Sequence, residues 1–157
     1  AFVVQRKHTD AAGVQHAEQR SLAGESWSEG QVILSWQDVL QGAADAHDGR
    51  NVVIHEFAHQ LDQENGQAIG APLPLPGDAD HHPARWKAVF TAAYERLQGE
   101  AFMHQQVLLD HYGAQDPAEF FSVATEAFFE QGAALRSYDA ALYRELQGYF
   151  KVDPSSW

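Results

Sequence analysis

The sequence predicts an α+β domain, with a small sheet early in the chain and helices after it. Two observations carry the prediction: the first fifty residues read as strands and turns, and from Asn51 onward apolar residues recur at helical spacing. Phe2 to Gln5 and Gln31 to Trp36 have the β-branched and aromatic content of strands, with turns marked by Gly24, Gly30 and the serines between them. A loop from Gly42 to Arg50 leads into a helix over Asn51 to Gln63, whose Val53, Ile54, Phe57, Ala58 and Leu61 follow the i, i+3, i+4 rule. Gly66 to Pro76, with three prolines and two glycines, is a loop. The next helix starts near Pro83, carries Trp86, Val89, Phe90, Ala93, Tyr94 and Leu97 on one side, and stops at Gly99. Glu100 to Asp110 is weakly marked as helical. Asp116 and Pro117 form a strong helix start, as cap and first helical residue, for a helix running to Gln131. A last helix spans Asp139 to Phe150.

Composition narrows the function. The 157 residues fit one domain, and 45% hydrophobic content fills a core. No apolar run approaches the roughly 20 residues that span a bilayer, so no membrane partner is expected. Ala1 to Lys7 lack the layout of a signal peptide, and the chain opens without Met inside a predicted strand. It therefore reads as a single domain over residues 1–157 that lacks an N-terminal segment of a longer protein. Cysteine is absent, which removes disulfides and thiolate sites and is compatible with a cytoplasmic setting. The net charge of −12 repels phosphate backbones, so no nucleic-acid partner is expected. Nine histidines in such a chain direct attention to a His/carboxylate metal site.

His55-Glu56-Phe57-Ala58-His59 is an H-E-x-x-H sequence inside a predicted helix. Residues four apart sit one turn above each other, so both imidazoles can meet one Zn²⁺ ion. Glu56 can then reach a water at the metal and act as its base. Two histidines and a glutamate can also fall on a solvated face by chance, but the apolar flanks argue against that. Asp62 lies about 10 Å along the helix from His55, too far to share its ion. It reads either as an outer carboxylate holding a histidine N–H or as a surface charge. Glu119 stands where a capping-box glutamate belongs, and also where a first-turn carboxylate can enter a cleft. Glu126, two turns further on, is a rival ligand or an outer carboxylate. Tyr112 is either an oxyanion donor or an ordinary half-buried tyrosine. His47, His81 and His82 read as polar loop residues outside the metal site.

The stretch Asn51 to Asp62, with Pro117-Ala118-Glu119-Phe120-Phe121-Ser122-Val123 through Glu126-Ala127-Phe128-Phe129, resembles the Mlc titration factor A family of bacterial zinc peptidases. Leu22 to Trp27, Gln31 to Val39, and Leu142-Tyr143 to Asp153-Pro154 extend the resemblance over nearly the whole chain. Tyr112-Gly113 followed by Ala118-Glu119-Phe120-Phe121 is also similar to the catalytic domain of anthrax lethal factor. The resemblance implies a zincin-like fold, one Zn²⁺ per chain, Glu119 as third ligand beside His55 and His59, and Tyr112 as a catalytic residue beside Glu56. It implies hydrolysis of a peptide substrate, of aminopeptidase type. It also implies a second reading, a regulatory protein that sequesters a transcriptional repressor, Mlc. A purely structural zinc fits less well, because such sites usually take four protein ligands and favour Cys. Departures from the family pattern fall in the loop Gly66 to His82.

Overall fold

In the computed structural model, described over residues 2–9, 15–22, 24–26, 30–64, 66–74 and 82–157, four strands precede six helices. Strand β1 (Phe2–Thr9) pairs antiparallel with β2 (Gln15–Leu22), Phe2 opposite Leu22. Strand β3 (Gly24–Ser26) pairs antiparallel with β4 (Val32–Leu34), Gly24 opposite Leu34. Among the described residues these are two separate two-stranded sheets, and β3 and β4 pack on the helix of the H-E-x-x-H sequence. The α+β class follows from this order.

Helix α1 (Trp36–Ala44) corrects the reading of the first fifty residues as strand and turn. The apolar string from Val32 divides at Ser35, the residue that caps α1 in extended conformation, so Trp36 opens a helix instead of closing a strand. Gly24, read as a turn, lies in β3. Helix α2 (Val52–Gln63) starts as its sequence predicts: the Asn51 side chain accepts from the N–H groups of Val53 and Ile54 at 3.1 and 3.3 Å.

Helix α3 (Pro83–Phe102) runs through Gly99. A helical glycine costs only about 1 kcal/mol, and burial of Leu97 with the Tyr138 hydroxyl bond to Glu100 (2.5 Å) outweighs it. The helix ends instead at Met103 and His104, the latter at φ 51°, a left-handed conformation that glycine more often supplies. Residues 103–110 are consequently turn and loop, not helix. A short 3₁₀ turn, His111–Ala114, follows.

Helix α4 (Pro117–Glu130) is capped by Asp116, whose carboxylate accepts from Ala118 and Glu119 N–H at 2.9 and 3.0 Å. Nine consecutive residues, Phe120 through Phe128, are buried. A helix covered on all sides is the centre of a core, and α2, α5 (Gly132–Tyr138), α6 (Ala140–Phe150) and the 3₁₀ turn all pack on α4. Trp86 stacks on Phe90 with ring centroids 4.0 Å apart, and Phe90 meets Phe120 edge-on. α5 has no counterpart in the sequence reading; α6 matches it.

One loop is tied down tightly. Both oxygens of Asp62 accept backbone N–H groups, from Gly70 at 2.7 Å and Ala71 at 2.8 Å, and the Trp86 indole N–H donates to the Gly70 carbonyl at 3.1 Å. Asp62 is fully buried, so it is not a surface charge; both its oxygens accept loop N–H groups, and its charge also acts on His59.

Candidate metal centre

His55 and His59 project from α2 one turn apart, with ring centroids 4.9 Å apart and planes at 80°. Facing them is Glu119, in the first turn of α4. Its Oε2 lies 3.0 Å from His55 Nε2 and 3.4 Å from His59 Nε2. One donor atom from each residue falls within 4.8 Å of the others, a spacing at which the three can hold a metal ion. The Glu119 carboxylate turns to the two imidazoles instead of back to the Asp116 N–H, where a capping-box glutamate would bond.

Behind the first imidazole stands Glu126. Its Oε1 is 2.8 Å from His55 Nδ1, and its Oε2 accepts the Asn51 N–H at 2.5 Å. Asn51 also donates from Nδ2 to Glu130 at 2.9 Å. One residue thus caps α2, ties it to α4 and holds the carboxylate that fixes the His55 ring. With Nδ1–H committed to Glu126, His55 turns Nε2 into the cluster, where it holds a proton toward Glu119 that a bound metal ion would replace. Of the two readings of Glu126, the geometry selects the outer carboxylate.

Electrostatics agree. Burial alone would push the His55 imidazole down, but the hydrogen bonds it donates to the Glu119 and Glu126 carboxylates, with their charges, raise it to about 10. For Glu119, burial works upward, yet the bonds to His55 and His59 bring it down to about 2. Two carboxylates around two rings form a donor set that favours positive charge at its centre. Glu56 is buried at 6% exposure; that burial raises its carboxyl, opposed by the charges of His55 and His59 and assisted by Glu119 and Glu25.

Tyr112, in the 3₁₀ turn, is 45% exposed and its hydroxyl is 3.5 Å from Glu119 Oε1. The turn is set by Asp110, which accepts the Tyr112 N–H at 2.9 Å, and by Gly113, where a Cβ would stand 3.2 Å from Val123 and 3.3 Å from Leu97. His55, Glu56, Tyr112 and Glu126 line a cavity of roughly 540 Å³, whose rim includes Asp38, Asp48 and Asp110. Arg50 pairs with Asp110 there at 2.9 Å. His47 and His82 are exposed on loop and helix start, away from the cluster, and His81 lies outside the described residues.

The profile of the glucose-regulated metallo-peptidase M90 family matches residues 1–151. The chain belongs to that family. Mlc titration factor A of Serratia proteamaculans is 38% identical over 156 residues, and its Yersinia enterocolitica counterpart 36% over 155, each match covering 98% of this chain. An uncharacterized protein of Synechocystis is 37% identical over 155 residues. The chain spans 55–57% of the length of these three relatives. Membership in a metallo-peptidase family gives the His/His/Glu cluster its most direct meaning, a site for a metal ion. Among the described residues no helix is long and apolar enough to cross a membrane.

Asn51 and Gly24 were not singled out as site residues by sequence. Asn51 carried a signal, an N-cap four residues before the first histidine. Gly24 carried only the general one that glycine inside a strand permits close approach of another group.

Proposed function

We propose that residues 1–157 form a zincin-like catalytic unit of a zinc peptidase, with one Zn²⁺ held by His55, His59 and Glu119. The observation that carries this reading is the convergence of those three side chains, within 4.8 Å, beside a buried glutamate of the same helix. When bound, zinc would supply Lewis acidity, acidifying water and polarising a peptide carbonyl. Glu56 would take a proton on its carboxylate and return it to the departing amine; a carboxyl raised by burial is suited to both transfers. The Tyr112 hydroxyl, near Glu119 and half exposed to the cavity, would donate to the charge developing on the carbonyl oxygen. Glu126 keeps His55 in the tautomer and orientation the site needs.

Peptides are the proposed substrates, and hydrolysis from the amino end is the proposed mode. Asp38, Asp48 and Asp110 line the cavity against one guanidinium, Arg50, which Asp110 offsets, and the remaining acidic excess favours an α-ammonium group over a carboxylate. Metal content by elemental mass spectrometry tests the ligand set: one zinc per chain in the wild type, lost in Glu119→Ala. Glu56→Gln is expected to keep zinc and lose hydrolysis; a variant that cleaves peptides normally sinks the mechanism.

The name Mlc titration factor A borne by relatives supports a second reading, in which the surface binds Mlc; that Mlc is a transcriptional repressor met in the cytoplasm is part of the proposal. Pulldown of such a repressor with Glu56→Gln separates the two, since retained binding means that partnership does not need catalysis.

A further inference from the structure

Gly24 lies in β3, directly against the side chain of Glu56. A Cβ built at Gly24 would stand 2.4 Å from Glu56 Cγ, 2.5 Å from Oε1 and 2.7 Å from Cδ. No real methyl group tolerates such distances, and the first atom met is in the middle of the glutamate side chain, not at its free end. Backbone conformation does not explain the glycine, because Gly24 is not among the residues with positive φ. Space does.

Neither partner can step aside freely. β3 is held by its pairing with β4, Gly24 opposite Leu34 and Glu25 opposite Ile33, and both strands pack on α2. Glu56 is buried, and its backbone is part of α2, whose position the neighbouring histidines and Asn51 fix. The movable element is the Glu56 side chain itself.

We infer that Gly24 is a positioning residue for Glu56: the bare Cα leaves the channel in which the carboxylate is held at the cavity, and any side chain there would displace it. This rests on the reading of Glu56 as the base. A displacement of about 1 Å in a reacting group can cost on the order of 10²-fold in rate. Gly24→Ser and larger residues would act in the same direction as Gly24→Ala, which makes the smallest change the sharpest probe.

The test is a double-mutant cycle on the full chain, with Gly24→Ala, Glu56→Ala and the double variant. Each is measured for zinc per chain, melting temperature and, with a panel of fluorogenic peptides, kcat and KM. Gly24→Ala is expected to keep its zinc and to lose about 10²-fold in kcat with KM within about twofold. Its melting temperature is expected to fall by about 4 °C or more, but by under about 1 °C when Glu56→Ala has removed the clashing atoms. Equal losses of melting temperature in the two backgrounds, loss of zinc, or an unchanged kcat overturns the inference. Should Gly24→Ala fail to fold, a folded double variant supports it and an unfolded one refutes it. A wild type that holds zinc but cleaves no peptide refutes the peptidase reading instead, while the melting-temperature cycle still decides the contact.

Discussion

The two ends of α2 each face a buried carboxylate, and the two carboxylates do different work. At the start of the helix, Glu126 reaches across from α4 to His55 Nδ1 and the Asn51 N–H. At the other end, Asp62 belongs to α2 itself and turns both oxygens to the backbone of Gly70 and Ala71. One orients a ring; the other anchors a loop. The comparison teaches that a carboxylate near a metal-type histidine is defined by where its lone pairs go, not by its distance in sequence. Seven residues separate His55 from Asp62 and seventy-one separate it from Glu126, yet it is the distant one that touches the ring.

The largest expected effect breaks the loop end. Asp62→Ala would remove the acceptor of the buried Gly70 N–H and of the part-buried Ala71 N–H, at up to about 1–3 kcal/mol each. Denaturant unfolding should show a loss of about 2–5 kcal/mol, while zinc affinity changes by less than about twofold. A variant with wild-type stability would show that the loop is held by other contacts.

The start of the helix should respond the opposite way. Glu126→Ala frees the His55 ring and is expected to weaken zinc binding about 10–100-fold, read by competition with a chromophoric chelator. Some stability is also lost, because the Asn51 N–H loses its acceptor. The sharpening outcome is the ratio: Glu126→Ala moves metal affinity far more than Asp62→Ala does. If both variants lose zinc equally, the two ends of α2 are not functionally distinct.

The same contrast explains what was legible in the sequence. Helices α2, α4 and α6 could be read because each has a capping Asn or Asp followed by apolar periodicity, signals that are local. The proximity of His55 to His59 was legible for the same reason, since helical geometry fixes the i, i+4 pair. α1 was hidden in Val32 to Trp36, a short apolar run that suits strand or helix equally until Ser35 is seen to divide it. α5 opens at Gly132, where a Cβ would lie 2.8 Å from the Pro154 carbonyl carbon, a requirement set by a segment twenty-two residues away. The end of α3 fell on His104 at positive φ, a position where no glycine announces the stop. Around the site, the tasks of Glu126, Asp62 and Gly24 depend on which elements pack on α2, and no local pattern carries that information.

The smallest expected effect lies one step further out, at Trp86. Its indole N–H donates to the Gly70 carbonyl, which shares a peptide unit with the Ala71 N–H that Asp62 holds. Gly70 itself sits at φ +71°, with a hypothetical Cβ 2.4 Å from the Pro117 carbonyl oxygen, so the loop is wedged against the start of α4 as well as hydrogen-bonded. Trp86→Phe keeps an aromatic ring to stack on Phe90 but removes that donor and some volume. The lost bond is worth about 1 kcal/mol, and the smaller ring adds a comparable packing term. Zinc content should not change, since Trp86 bonds the loop and packs in the aromatic core, not at the metal cluster. Because Asp62 and Trp86 hold the same residue, their combined variant should lose less than the sum of the two single losses. Strict additivity would mean that the Asp62 and Trp86 anchors work independently, and that Gly70 is fixed by its wedge against Pro117.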